Sequence, residues 1–315
     1  MSGEIALSVL LITTLTATVV AGTTILLAAL GEVLSERAGI LNLGVEGMML
    51  SGACIGYIAA LKTGSPWAGV LAAAVAGAAL AGIHATLTVT LRANQVVSGL
   101  ALTLFGTGFS SYVGKPYVGI PLVKAFTKVP IPGLADIPAL GPILFNQNPV
   151  VYLTYLLVPV LWYWLYRTRP GLNLRAVGEN PAAADAVGLN VFVTRYVYVM
   201  LGGALSGIAG AHLSIAVAPS WVEGMTAGRG WVAVALVIFA TWNPAKAMLG
   251  AYLFGGVEAL TFRLQAMGST ISVFFLNMLP YLFTIAVLLA ATSRARKGRM
   301  ELPASLGTAY DRETR

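Results

Sequence analysis

Long apolar runs separated by short polar stretches dominate the chain. A helix crosses a bilayer with about 20 mostly apolar residues. Runs that meet this pattern fall near residues 5–30, 40–61, 68–90, 96–113, 150–166, 196–218, 231–243, 247–262 and 271–291. The run at 231–243 is short, so it borrows residues from 224–230 or belongs to a broken helix. The pattern predicts an all-α polytopic membrane protein with nine transmembrane helices, in a range of eight to ten, forming one transmembrane domain over 1–315. Two polar segments stand apart. Residues 114–149 are rich in proline and lack a helical period, which predicts extended and turn structure with at most a short helix. Residues 167–195 form the longest loop on the opposite side, and a basic tail follows at 292–315.

Composition narrows the class. The chain is 57% hydrophobic and 10% charged, where soluble domains are about 25% charged. So few charges cannot coat a globule of 315 residues. A soluble enzyme, a disordered chain and a nucleic-acid binder are excluded, although the net charge is +7. The cations instead report orientation. Nine spans with a cytoplasmic C-terminus place 13 of the 19 Lys and Arg residues inside, as the positive-inside rule favours, and the N-terminus outside. Cys54 is the only cysteine, so no disulfide framework or cysteine metal site is expected. No basic region precedes the first apolar run, so 5–30 reads as a retained span rather than a cleaved signal.

Interior groups carry the next inferences. Gly52 and Gly56, Gly203 and Gly207, and Ala73, Gly77 and Ala81 make flat helix faces suited to close packing in lipid. Ionisable residues inside spans are costly and often functional. The candidates are Glu46, His84, His212 and Glu258, with Asn42 and Asn277 as polar companions. The histidines read as packing residues. Asn42 and Glu46 are four apart and would share a helix face. Three glycines within 39–47 argue against an unbroken helix and for a discontinuous one beside a substrate path. Val-Glu-Gly-Met occurs at 45–48 and again at 222–225. An odd number of spans separates the copies, as in an inverted-topology repeat. Asn42, Glu46, Glu223 and Asn277 are therefore the expected substrate path.

The 167–195 loop has its own signals. Asn180 caps a helix, Pro181 suits its first position, and Gly188 ends it. Ala182, Ala183, Ala184 and Asp185 lie between, giving two turns with a small apolar face fit for docking in a partner's groove. No Gly-x-x-x-x-Gly-Lys-Ser/Thr loop occurs in the chain, so it has no phosphate cradle of that kind. An ion-coupled secondary transporter, with Glu46 and Glu258 as proton or cation sites, would not need such a docking helix. A membrane enzyme would need a catalytic cluster, and none qualifies.

Three stretches resemble one family: Arg37-Ala-Gly-Ile-Leu-Asn-Leu-Gly-Val-Glu-Gly-Met-Met-Leu50, Arg175-Ala-Val-Gly-Glu-Asn-Pro-Ala-Ala-Ala184, and Gly224-Met-Thr-Ala-Gly-Arg-Gly-Trp231 through Trp242-Asn-Pro244. They look like the permease subunit of bacterial ABC importers of the simple-sugar and nucleoside branch. The Leu-Asn-Leu-Gly-Val-Glu-Gly-Met form is similar to the nucleoside type, which is served by a basic-membrane-protein lipoprotein. The resemblance implies a translocation subunit of the bacterial inner membrane that imports nucleosides, with simple sugars as the alternative. It implies no catalytic residue, metal or cofactor on this chain, with ATP and Mg at partner ATPase subunits. Glu179, Asn180, Pro181, Ala182, Ala183, Ala184 and Asp185 would form the coupling helix. A second permease chain and an extracytoplasmic substrate-binding lipoprotein would complete the assembly.

Overall fold

The computed structural model describes residues 2–267, positions 272, 275, 278, 279, 281–286 and 289, and residues 302–312. Ten helices lie in the continuous part: α1 (Ser2–Arg37), α2 (Val45–Thr63), α3 (Pro66–Ala85), α4 (Gln95–Gly114), α5 (Pro149–Arg167), α6 (Arg169–Glu179), α7 (Pro181–Ala186), α8 (Val191–His212), α9 (Arg229–Phe239) and α10 (Pro244–Ala266). Among the described residues, six helices are long and apolar enough to cross a membrane: α1 to α5 and α8. The runs expected at 231–243 and 247–262 are α9 and α10. The ninth run, 271–291, is described only in part.

The first boundary differs from the expected 5–30. Helix α1 continues through Glu32, Glu36 and Arg37, all buried. Each has a partner that makes burial tolerable. Glu32 accepts the Asn42 amide at 2.9 Å, Glu36 accepts the indole N–H of Trp242, and Arg37 donates to Tyr166 and to the Thr241 carbonyl. Helix α2 starts at Val45 rather than 40, because Gly39 takes a left-handed turn (φ +83°) and Asn42 folds its side chain onto the Gly44 amide at 3.0 Å. Asn42 therefore precedes the helix, and it does not share a helix face with Glu46.

Small residues decide the packing. A Cβ on Gly77 would lie 2.1 Å from the Gly203 carbonyl oxygen, and one on Gly207 would lie 2.0 Å from that of Ala73. These contacts run antiparallel, so α3 and α8 meet backbone to backbone. Helix α2 lies along the same α8 face in parallel, with Gly52 against Gly207 and Gly56 against Ala211. The three small-residue stripes thus pack on one another. Lipid gives helices little hydrophobic reason to associate, so this close approach is what dispersion requires.

Two polar ends close the bundle. At one, the 114–149 segment is short turns and a two-stranded ladder, β1 (Val129–Pro130) with β2 (Asn146–Gln147), as the proline pattern predicted. It is tied to the end of α8 by bridges Val118–Trp221 and Pro121–Ser220. At the other end sit α6, α7 and residues 302–312. Helix α6 was not foreseen as a helix. Thr168 caps it through the Gly171 amide, with Pro170 in its first turn.

Both interior histidines join helices. His84 lies 2.9 Å from the Ser98 hydroxyl and 3.1 Å from the Leu41 carbonyl. The carbonyl only accepts, so Nε2 carries the proton. His212 lies 2.9 Å from Thr24 and 3.3 Å from the Asn148 amide nitrogen. That set links α8 to α1 and to the start of α5, and it matches the packing role read from the sequence.

Candidate functional site

Helix α9 has 11 residues, which at 1.5 Å per residue spans about half of a hydrocarbon core of roughly 30 Å. Between α8 and α9 the chain forms a turn over 223–228. The short run at 231–243 is thus the helical part of a broken span. Irregular backbone at such depth must have its amides and carbonyls satisfied by protein.

Opposite charges satisfy them from opposite sides. The cap position of α9 is Gly228, in the left-handed region (φ +80°) and without a capping side chain. Glu46 of α2 supplies the cap instead. Its carboxylate accepts from Thr226 Oγ1 at 2.6 Å, from the Gly228 amide at 2.9 Å and from the Gly230 amide at 2.7 Å. A carboxylate here also meets the positive end of the α9 dipole. Only glycine at 230 permits the approach, since a Cβ there would lie 2.7 Å from the Glu46 backbone.

Arg229 serves the carbonyls of the same turn. Its Nη1 donates to Met225 O and Thr226 O, each at 3.1 Å. Its Nε and Nη2 bind the carboxylate of Glu258 on α10 as a two-point pair. The side chains of this pair are 17% and 15% exposed, so it is a part-buried ion pair within the bundle. Two cavities share Arg229, Glu258 and Phe262 as wall. One, of about 410 Å³, is lined further by Ile25, Val232, Phe254 and Tyr281. The other, of about 710 Å³, extends to Thr13, Val222 and Lys128, toward the end that carries the 114–149 segment.

Three of the expected path residues are described. Asn42 is fully buried and lines neither cavity. Glu46 grips α9. Glu223 is exposed on the turn. Asn277 lies outside the described residues. The two Val-Glu-Gly-Met copies also differ in backbone: the first opens α2, and the second precedes and enters the turn. The sequence candidates included Glu258 but not Arg229, Glu32 or Glu36. The available signal was that Arg229 follows two glycine-containing turn positions and directly precedes an apolar run too short to span alone.

The docking helix forms as its capping signals predict. The Asn180 side chain accepts the Ala183 amide at 2.9 Å, α7 begins at Pro181, and Gly188 is left-handed (φ +87°). Ala182, Ala183 and Val187 are exposed, whereas Ala184 is buried against Val177 and Val191. Asp185 is turned inward. It takes two bonds from Arg312, at 2.8 and 2.7 Å, and one from Tyr310 at 3.1 Å. Glu179 accepts the Ala304 amide at 3.3 Å. Ser305 bonds the Gly178 carbonyl and accepts from Arg195, and Asp311 pairs with Arg92 at 2.5 Å. Residues 304–312 thus strap α6 and α7 to the bundle.

Six helices of membrane-spanning length and a broken span, among the described residues, are the architecture of a polytopic membrane protein. The chain belongs to the family described as branched-chain amino acid transport system / permease component, whose pattern matches residues 14–292. Three relatives align over most of their length. TsgC13 of Haloferax volcanii, named as a glucose ABC transporter permease protein, is 44% identical over 95% of this chain and 97% of its own. The guanosine ABC transporter permease protein NupQ of Bacillus subtilis is 35% identical over 93% and 95%. The nucleoside ABC transporter permease protein NupC of Lactococcus lactis is 37% identical over 84% and 88%. A solved structure of a metal-chelate type ABC transporter, in an inward-facing conformation, superposes with a TM-score of 0.50 at 14% identity, covering 89% of this chain and 85% of that one. That likeness concerns the fold.

Proposed function

We propose that this chain is the translocation subunit of an ATP-driven importer of nucleosides. The carrying observation is its near full-length similarity to NupQ and NupC, whose names give guanosine and nucleosides. Glucose is the second reading, favoured by TsgC13. ATP is hydrolysed, with Mg, on separate ATPase subunits that dock on the exposed Ala182, Ala183 and Val187 surface. A second permease chain and an extracytoplasmic binding lipoprotein complete the assembly. The end bearing α6, α7 and the 304–312 strap faces the cytoplasm. It gathers Arg37, Arg92, Arg167, Arg169, Arg175, Arg195 and Arg312, which supports that orientation. A ninth span at 271–291 carries the chain back to that side. Antiparallel α3 and α8 each end at a histidine turn followed by a π-helical turn, at 86–90 and 213–217, which supports an inverted repeat.

The test is uptake by proteoliposomes that hold the assembled complex. Radiolabelled guanosine and uridine should accumulate only with ATP and the binding lipoprotein. Accumulation of glucose alone moves the substrate to the sugar reading. Uptake driven by a proton gradient without the ATPases overturns the ABC mechanism.

A further inference from the structure

We propose that the two cavities on either side of the Arg229–Glu258 pair form one solute chamber, with that pair as its polar wall. The chamber takes a neutral solute with an apolar ring face and hydrogen-bonding edges. This rests on the importer reading above and deepens it, since it names the residues that meet the solute.

The position of the pair carries the argument. The 223–228 turn is held by Arg229 through its carbonyls and by Glu46 through Thr226 and the Gly228 amide. Glu258, on another helix, offsets the Arg229 charge, as ionisable groups in a membrane interior do by pairing. The pair also lies on the shared wall of both cavities rather than in packed protein. The volumes of about 410 and 710 Å³ fall in the usual range for small-molecule sites, which are mostly apolar with a few placed polar groups.

The chemistry follows from the lining. Phe254, Phe262 and Tyr281 offer faces to a flat ring. Arg229 offers donors in a plane and Glu258 offers acceptors, so together they match an edge that both accepts and donates. A nucleobase edge and the ribose hydroxyls have that character. Such a solute exchanges the bonds the pair makes to itself for bonds to the solute, with no change in net charge.

The single cysteine of the chain, Cys54, is buried, which makes an introduced thiol easy to read. Ala227→Cys places a thiol on the smaller cavity and Val222→Cys one on the larger, both at exposed positions. Val123→Cys, 95% exposed and outside both cavities, is the control. Labelling of this chain by a small maleimide is followed in the assembled complex, alongside uptake. A transported nucleoside at about ten times its Kd should slow labelling of both wall thiols about tenfold by mass action. The control should not change. Nucleoside uptake without protection of either wall overturns the chamber and leaves the importer reading standing. Uptake of glucose alone, with glucose protecting both walls, supports the chamber and overturns the nucleoside reading.

Discussion

The Glu46 carboxylate accepts the Gly230 amide at 2.7 Å, across 184 positions of sequence. That bond joins the first turn of α2 to the first turn of α9, and it lets a helix begin inside the bundle.

Glu46→Gln tests this. The amide keeps the shape and one acceptor oxygen, but its NH₂ then faces a backbone donor. Losing a charge-assisted acceptor and leaving a buried amide unpaired costs roughly 1–3 kcal/mol. Thermal unfolding in detergent should begin at lower temperature, and uptake should fall more than expression does. A variant with unchanged unfolding and a normal uptake rate would remove Glu46 from the account of α9.

Gly210→Ala should fail more completely. A Cβ there would sit 1.9 Å from the Met49 carbonyl oxygen, against backbone that cannot rotate away. Overpacking of this sort costs about 1–3 kcal/mol or more. The yield of monodisperse protein on size-exclusion chromatography should drop sharply. Gly108→Ala, where a Cβ meets nothing within 4 Å, should match the parent.

Ala183→Arg should leave the chain inserted and folded, because Ala183 is exposed and takes part through its backbone, with Asn180 and Val187. Association with the ATPase should weaken, seen as loss of the ATPase on co-purification and lower ATP-dependent uptake. An intact, normally coupled complex would mean that the docking surface lies elsewhere.

Arg312→Ala removes the two-point bond to Asp185. Arg312 is itself exposed, so water and salt screen its bond and global unfolding should barely change. The effect should appear locally instead. Hydrogen exchange should speed up in 181–189 and stay unchanged in α3 and α8. Equal protection in both proteins would show that the strap does not restrain α7.

Local grammar was readable in the chain, and partnership was not. Asn180, Pro181 and Gly188 announce α7 because capping acts over three or four residues. Glycines 39, 44 and 47 marked the break before α2, and the length deficit at 231–243 marked the break before α9. The pairing of Glu46 with α9, of Arg229 with Glu258, and of Asp185 with Arg312 depends on which helices lie side by side. Apolar periodicity says little about that when most faces of a helix are apolar. The end of α1 was misjudged for a related reason. Charges at 32, 36 and 37 look like a membrane exit until Asn42, Trp242 and Tyr166 are seen to receive them.

The backbone contact between α3 and α8 leaves no side chain that could yield, so these helices travel together through any cycle. Spin labels on exposed positions such as Leu71 and Val197 should keep one separation in the presence and absence of ATP. A second distance population would disprove this rigidity. The pair then supplies a fixed internal ruler, and the displacement of every other helix can be measured from it.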